Sequence, residues 1–402
     1  MLSTQIPEEF KDIRPYADDE LPQVFTELMA DEQFLQVAAK LVPDLKQKLA
    51  VALPALKGGA GSSASASASL AVQKTFFYPL VQRIIKECTD GLELTLPNGF
   101  DRQQPHTFIT NHRDIVLDSA FLSVLLVDNG FPTTVEIAIG DNLLIFPWIK
   151  KLVRINKSFI VQRSLSMREM LRASQTMSRY MHFAISEKQE NIWIAQREGR
   201  AKDSDDRTQD ALLKMMAMGG EGTVIERLRQ LHLAPMALSY EYDPCDYLKA
   251  KEFQQKRDNP DFKKSREDDL INMQTGIFGQ KGHIHFQAAP CIDNWLDYLD
   301  PETPKTELFP MVAQHIDEEI HRSYRLYPGN YVAADALRGE STFSSYYTRE
   351  QLLAFDDYLS SRIALIDLPE PDEPFLRERL LTMYANPVFN KEKAMKSWSE
   401  KV

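Results

Sequence analysis

Between residues 92 and 290 short apolar runs alternate with longer stretches of helical period, and this rhythm restricts the chain to few folds. The runs fall at 92–96, 107–110, 135–139, 159–161, 192–195, 235–240 and 283–286. Helical patterns lie between most of them, notably at 164–186 and 221–231. An apolar run of four to eight residues bounded by polar turns reads as a strand buried on both faces. Strand–helix alternation predicts an α/β domain: a largely parallel mixed sheet flanked by helices.

The flanks differ. Leu21, Val24, Phe25, Leu28 and Met29, then Phe34, Val37 and Leu41, recur at helical spacing, so residues 1–57 form an N-terminal helical region. Residues 58–69 are all Gly, Ala or Ser, which bury little surface, and are expected as a flexible linker. The α/β domain then covers 70–300. Phe309, Val312, Ile316 and Ile320 make one stripe and open a helical C-terminal extension over 301–402. The charge-rich stretches 203–207 and 263–269 are expected as solvated loops or helix faces.

The net charge of −11 argues against a nucleic-acid partner. Cys88, Cys245 and Cys291 stand far apart without a CxxC, so neither a disulfide framework nor a zinc site is expected. The acidic first twenty residues lack the basic start and apolar core of a signal peptide, and no run of eighteen apolar residues exists. A cytoplasmic protein is expected, with peripheral membrane contact open.

Chemistry concentrates where strands end. The run at 107–110 gives way to Asn111-His112-Arg113-Asp114, and Asp118 follows in a helical pattern over 115–127. A histidine held by a carboxylate can take a proton from a hydroxyl. Asp114 stands where that helix begins and is expected to cap it. This leaves Asp118 as the acid that orients His112, with Asp114 as the fallback. Lys150, Lys151, Arg154, Lys157 and Arg163 reverse the local charge, and Arg163 follows a strand, at the edge where α/β sheets bind ligands. A guanidinium there suits a phosphate; a basic surface face is the plainer reading for Lys150 and Lys151. The strand at 192–195 empties into Gln196-Arg197-Glu198-Gly199-Arg200-Ala201-Lys202. Arg197, Arg200 and Lys202 could bind an anion, Glu198 could order them or a substrate hydroxyl, and Gly199 permits close backbone approach. No cysteine has a histidine near it in sequence, no phosphate-binding glycine loop exists, and His283 with His285 lacks a third metal ligand.

In this order these blocks resemble the glycerolipid acyltransferase family. Asn111-His112 with Asp118, the strand ending in Arg163, Glu198-Gly199-Arg200, and a strand beginning Pro235-Met236-Ala237-Leu238 match the family's four motifs. The likeness spans about 92–290 and is closest to bacterial members containing NHRDIVLD and QREGRAKD. This chain departs in three places. Five residues, not four, separate His112 from Asp118. Gln196-Arg197 replaces Phe-Pro. Asn156 and Lys157 stand where a glycine usually precedes the arginine.

The resemblance implies acyl transfer from acyl-carrier protein or acyl-CoA to a hydroxyl of a glycerol-phosphate-type acceptor, with no metal or redox cofactor. His112 would be general base and Asp118 its orienter. Arg163 with Arg197 or Arg200, and Lys202, would hold the phosphate. Glu198 and Gly199 would order the acceptor. The oxyanion donor would be a backbone amide at the His112 turn or near Gly199. Helices around 34–57, with Lys40, Lys46, Lys48 and Lys57 among leucines, would attach to the inner face of the membrane or simply pack on the domain. A basic lip at 150–157 would suit an acidic acyl-carrier protein. The rival readings are an acyl-thioester hydrolase, an acyltransferase for an amino-acid lipid, and a non-catalytic lipid or carrier-protein binder.

Overall fold

The structure, a computed structural model, describes residues 6–41, 67–163 and 165–401, with the backbone alone at 37–41 and 401. Most of the proposed membrane-attaching segment, including Lys40, Lys46, Lys48 and Lys57, and linker residues 58–66 lie outside these residues or their described side chains.

Seven strands among the described residues form one sheet: β1 (Gly91–Thr95), β2 (Thr107–Thr110), β3 (Val135–Gly140), β4 (Ser158–Val161), β5 (Asn191–Ala195), β6 (Leu233–Tyr240) and β7 (His283–Ala288). Each expected strand is present within a few residues. The spatial order is β1-β7-β6-β2-β5-β3-β4. All neighbours run parallel except β6 and β7. The sheet is therefore mixed and mostly parallel, an α/β fold.

Two apolar layers cover it. Phe108 and Trp193 face Leu117, Phe121, Leu125, Val81 and Ile84 from helices Tyr78–Cys88 and Leu117–Asp128. Ile109 and Ile194 face the opposite layer, built on helices Met167–Ser186, Asp210–Met216 and Lys305–Arg322. Strands buried on both faces carry apolar residues without alternation, which is why they read as runs. The stripe Phe309, Val312, Ile316 and Ile320 belongs to this second layer, so the first helix expected in the C-terminal extension is part of the α/β core. The later helices Pro328–Arg338, Arg349–Ile363 and Glu373–Lys401 enclose a cluster of their own with Ala250.

Helix formation begins earlier than expected after the Gly/Ala/Ser stretch. Helix Ala68–Val72 starts within 58–69 because Ser67 caps it and Asp18 accepts from the amides of Ala68 and Ser69. Arg154 and Lys157 do not form a basic lip. Arg154 donates to the carbonyls of Arg14 and Lys11, and Lys157 is buried on Glu190, Thr133 and Thr134. Lys157 also has φ of 60°, the left-handed region glycine favours. Lys157 thus stands in a conformation uncommon outside glycine, with its ammonium fixed by the buried ion pair to Glu190.

Candidate active site

Strands β2, β5, β3, β4 and β6 run in one direction, so the polar segments that follow them gather along one edge of the sheet. That edge carries Asn111, His112, Asp141, Arg163, Gln196–Arg200 and Tyr240. β6 pairs Met236 with Thr110 and continues to Tyr240, four residues past the end of β2. Asn111 exploits the overhang. Its side-chain amide donates to the Leu238 carbonyl at 2.9 Å and accepts from the Leu238 amide at 2.8 Å. A side chain thereby replaces the next rung of the ladder, and the backbone of β2 is free to turn away at His112.

The turn is wrapped around one carboxylate. Asp118 Oδ2 accepts from His112 Nδ1 at 2.7 Å, from the Arg113 amide at 2.7 Å and from the Asp114 amide at 3.1 Å. Its Oδ1 accepts from the Tyr240 hydroxyl at 2.8 Å. Asp118 is fully buried and the His112 side chain is 13% exposed. The extra residue between histidine and acid is absorbed by the turn, because the helix begins at Leu117 rather than 115. Asp114 points elsewhere. Its Oδ1 caps the amides of Val116 and Leu117, and its Oδ2 packs against Gly276, where even a Cβ would come within 2.1 Å. Burial and the nearby Asp118 charge push the Asp114 carboxyl up. With Nδ1 donating to the carboxylate, Nε2 is the nitrogen left for base chemistry. The Trp193 ring stands edge-on to the imidazole at 5.5 Å.

Arg113 reaches away from the site and makes two bonds, at 2.9 and 2.6 Å, to the buried carboxylate of Asp206. Asp206 also receives the Tyr324 hydroxyl at 2.5 Å. The stretch 203–207 is therefore not simply a solvated loop: Asp206 is 1% exposed, its charge met by Arg113.

The expected anion-binding residues separate into three groups. Arg163 stands at the mouth of the edge. Asp141 accepts from its amide, and its guanidinium lies over Gly140 and donates to Glu198 at 3.1 Å. Arg197 and Arg200 each hold a buried nitrogen, Nε and Nη1 respectively, with no hydrogen-bond partner among the described residues. Lys202 is withdrawn from the set: it is ion-paired to Glu252, so its charge is already neutralised. Gly199 adopts φ of 67° in open space, which lets the loop turn after Glu198.

Sequence reading missed Tyr240, Asp141 and Asp206 and saw Asn111 only as a neighbour of His112. Tyr240 had a signal, a polar-tipped aromatic ending an apolar strand. Asp141 had one too, an acid directly after a strand. Asp206 had none within its own stretch, since Arg113 lies 93 residues away.

Residues 92–239 match the family model described as Acyltransferase. This span is an acyltransferase domain. The chain is therefore an acyltransferase. No curated protein sequence matches it significantly. Among solved structures it is similar to the 1-acyl-sn-glycerophosphate (LPA) acyltransferase PlsC from Thermotoga maritima, with 10% identity over 75% of this chain and 95% of that chain and a TM-score of 0.38. Within the acyltransferase, the matched region contains His112, Asp118, Arg163 and Glu198 and ends one residue before Tyr240.

Proposed function

We propose that this acyltransferase moves a fatty acyl group from a thioester, acyl-carrier protein or acyl-CoA, to a hydroxyl of glycerol 3-phosphate or 1-acylglycerol 3-phosphate. The observation that carries the reading is the His112–Asp118 pair, held by three further hydrogen bonds at the ligand-binding edge of the sheet. His112 Nε2 takes the proton of the acceptor hydroxyl as its oxygen attacks the thioester carbonyl. The new C–O bond forms, the C–S bond breaks, and the imidazolium returns its proton to the departing thiolate. Asp118 holds the tautomer and stabilises the imidazolium, and Tyr240 holds Asp118.

Arg163 and the unpartnered nitrogens of Arg197 and Arg200 support an anionic acceptor. A bound phosphate would give those buried donors the partners they lack. The Arg163–Glu198 ion pair has side chains 35% and 68% exposed, so opening it for a ligand costs little. The amides of Arg113 and Asp114 are committed to Asp118, which leaves the loop at Gly199 as the expected oxyanion donor.

A cleft of about 340 Å³ supports binding of the acyl chain. Val116, Ala120, Val124 and Val127 form one wall and Phe77 and Val81 another, and the Val116 end adjoins the catalytic turn. No helix among the described residues is long and apolar enough to cross a membrane. Met167, Met170 and Leu171, exposed at 89%, 44% and 52%, follow shortly after Arg163 with Arg168 and Arg172 among them. That combination supports peripheral contact with an anionic lipid surface, on the cytoplasmic side.

Thiol release from an acyl thioester, followed with and without glycerol 3-phosphate or its 1-acyl derivative, tests the proposal. Acceptor-dependent release that vanishes in His112→Ala is expected. Equal release without acceptor would mean a hydrolase instead.

A further inference from the structure

We infer that His232, Cys291 and Asp293 form a binding site for a zinc-like divalent cation at the amino-terminal edge of the sheet. His232 immediately precedes β6, while Cys291 and Asp293 follow β7. The antiparallel pairing of these strands brings the two segments together, and the Ile292 amide donates to the Leu233 carbonyl at 3.0 Å. One ligand atom from each of the three residues lies within 4.8 Å of the other two. Atoms bound about 2.0–2.3 Å from one ion fit inside that span. Imidazole, thiol and carboxylate are also the donor types zinc selects.

The Asp293 carboxylate is where the three side chains converge. Its Oδ2 accepts from His232 Nδ1 at 2.5 Å, and the same carboxylate accepts from the Cys291 thiol. The protons that hold this cluster together, on His232 and Cys291, are those a bound cation displaces. The Asp293 amide donates to the Cys291 sulfur, an outer contact that steadies a metal-bound thiolate. On binding, the Cys291 thiol releases its proton to solvent and the His232 proton moves to Nε2, so that thiolate, neutral imidazole and carboxylate face the ion. Water takes the fourth tetrahedral position.

The site would staple the start of β6 to the chain leaving β7. Tyr240 is the last of the eight residues of β6, roughly 25 Å of strand away from His232. The proposed ion therefore stands apart from His112 and takes no part in acyl transfer. Cysteine spacing could not reveal it, because its ligands come from positions 232, 291 and 293 and only one is a cysteine.

The test is titration of the chelator-treated full chain with Zn²⁺ and with Co²⁺. One equivalent of each metal is expected, with a thiolate-to-cobalt absorption band and a rise in Tm on zinc addition. Cys291→Ser should abolish the band, and His232→Ala should weaken zinc binding by about 100-fold or more, beyond the usual effect of losing an orienting group. Circular dichroism establishes that each variant is folded. Absence of stoichiometric binding by the parent chain would overturn the site, as would an unchanged cobalt spectrum in folded Cys291→Ser.

Discussion

The chemistry proposed for this acyltransferase rests on Asp118, whose two oxygens receive four hydrogen bonds, one of them from His112. Asp118→Asn should preserve the packing but reverse the hydrogen-bonding sense at Nδ1, lowering kcat by about 10²–10⁴-fold with little change in acceptor KM. Tyr240→Phe removes one bond to the carboxylate; a fall in kcat of roughly tenfold is expected, since hydrogen bonds to charged groups contribute about 1.5–3 kcal/mol. Steady-state kinetics on folded protein separates these outcomes. Arg163→Ala should instead raise the acceptor KM and leave donor KM near its original value. His112 and Asp118 were legible in the sequence because they lie within seven consecutive residues. Tyr240 was not singled out because its partnership with Asp118 spans 122 residues and depends on β6 overrunning β2.

At the scale of elements, the strands were legible because burial on both faces strips them of polar residues. What the pattern could not show was how their ends are finished. Asn111 completes the β2–β6 ladder with its side chain, so Asn111→Ala leaves both the amide and the carbonyl of Leu238 without their partner. A loss of about 1–3 kcal/mol for each group left buried is expected, read as a lower urea midpoint and Tm. The basic run at 150–163 illustrates the converse limit. Its charges suggested a surface lip, but Arg154 and Lys157 turn inward to carbonyls and to Glu190 supplied by distant segments. Arg163 alone of those two and itself reaches the mouth of the site, and it does so over Gly140. Gly140→Ala would place a methyl 3.1 Å from the Arg163 guanidinium carbon and closer still to Asn142, and should weaken acceptor binding with little effect on kcat for the bound substrate.

Across the whole molecule, the helices expected as an extension are tied to the catalytic turn. Tyr324 and Arg113 meet on Asp206, and helix Lys305–Arg322 clamps the same loop from above. Asp317 accepts from the amide and hydroxyl of Thr208, and His321 donates to the Asp206 carbonyl. Burial raises the Asp317 carboxyl from 3.8 to about 6 and lowers the His321 imidazole from 6.5 to about 4. The sequence showed this helix's apolar stripe but not its polar edge, whose partners lie over a hundred residues earlier.

The two shifts act in opposite directions on stability. The Asp317 contribution is present below pH 3.8 and is lost as pH rises through 6. The His321 contribution is present above pH 6.5 and is lost as pH falls through 4. They oppose each other across this window. Asp317→Asn keeps an acceptor for Thr208 but removes the first slope. Relative to the parent, the variant should lose roughly 3 kcal/mol between pH 6.5 and 4, measured by urea unfolding. The most direct measurement of the central claim is mass spectrometry of the products formed from an acyl thioester and a panel of alcohols. Acylated glycerol phosphate, formed by the parent chain and absent with folded His112→Ala, is the predicted result. The same acylated product from His112→Ala at the parental rate, or free fatty acid whatever acceptor is supplied, would contradict it.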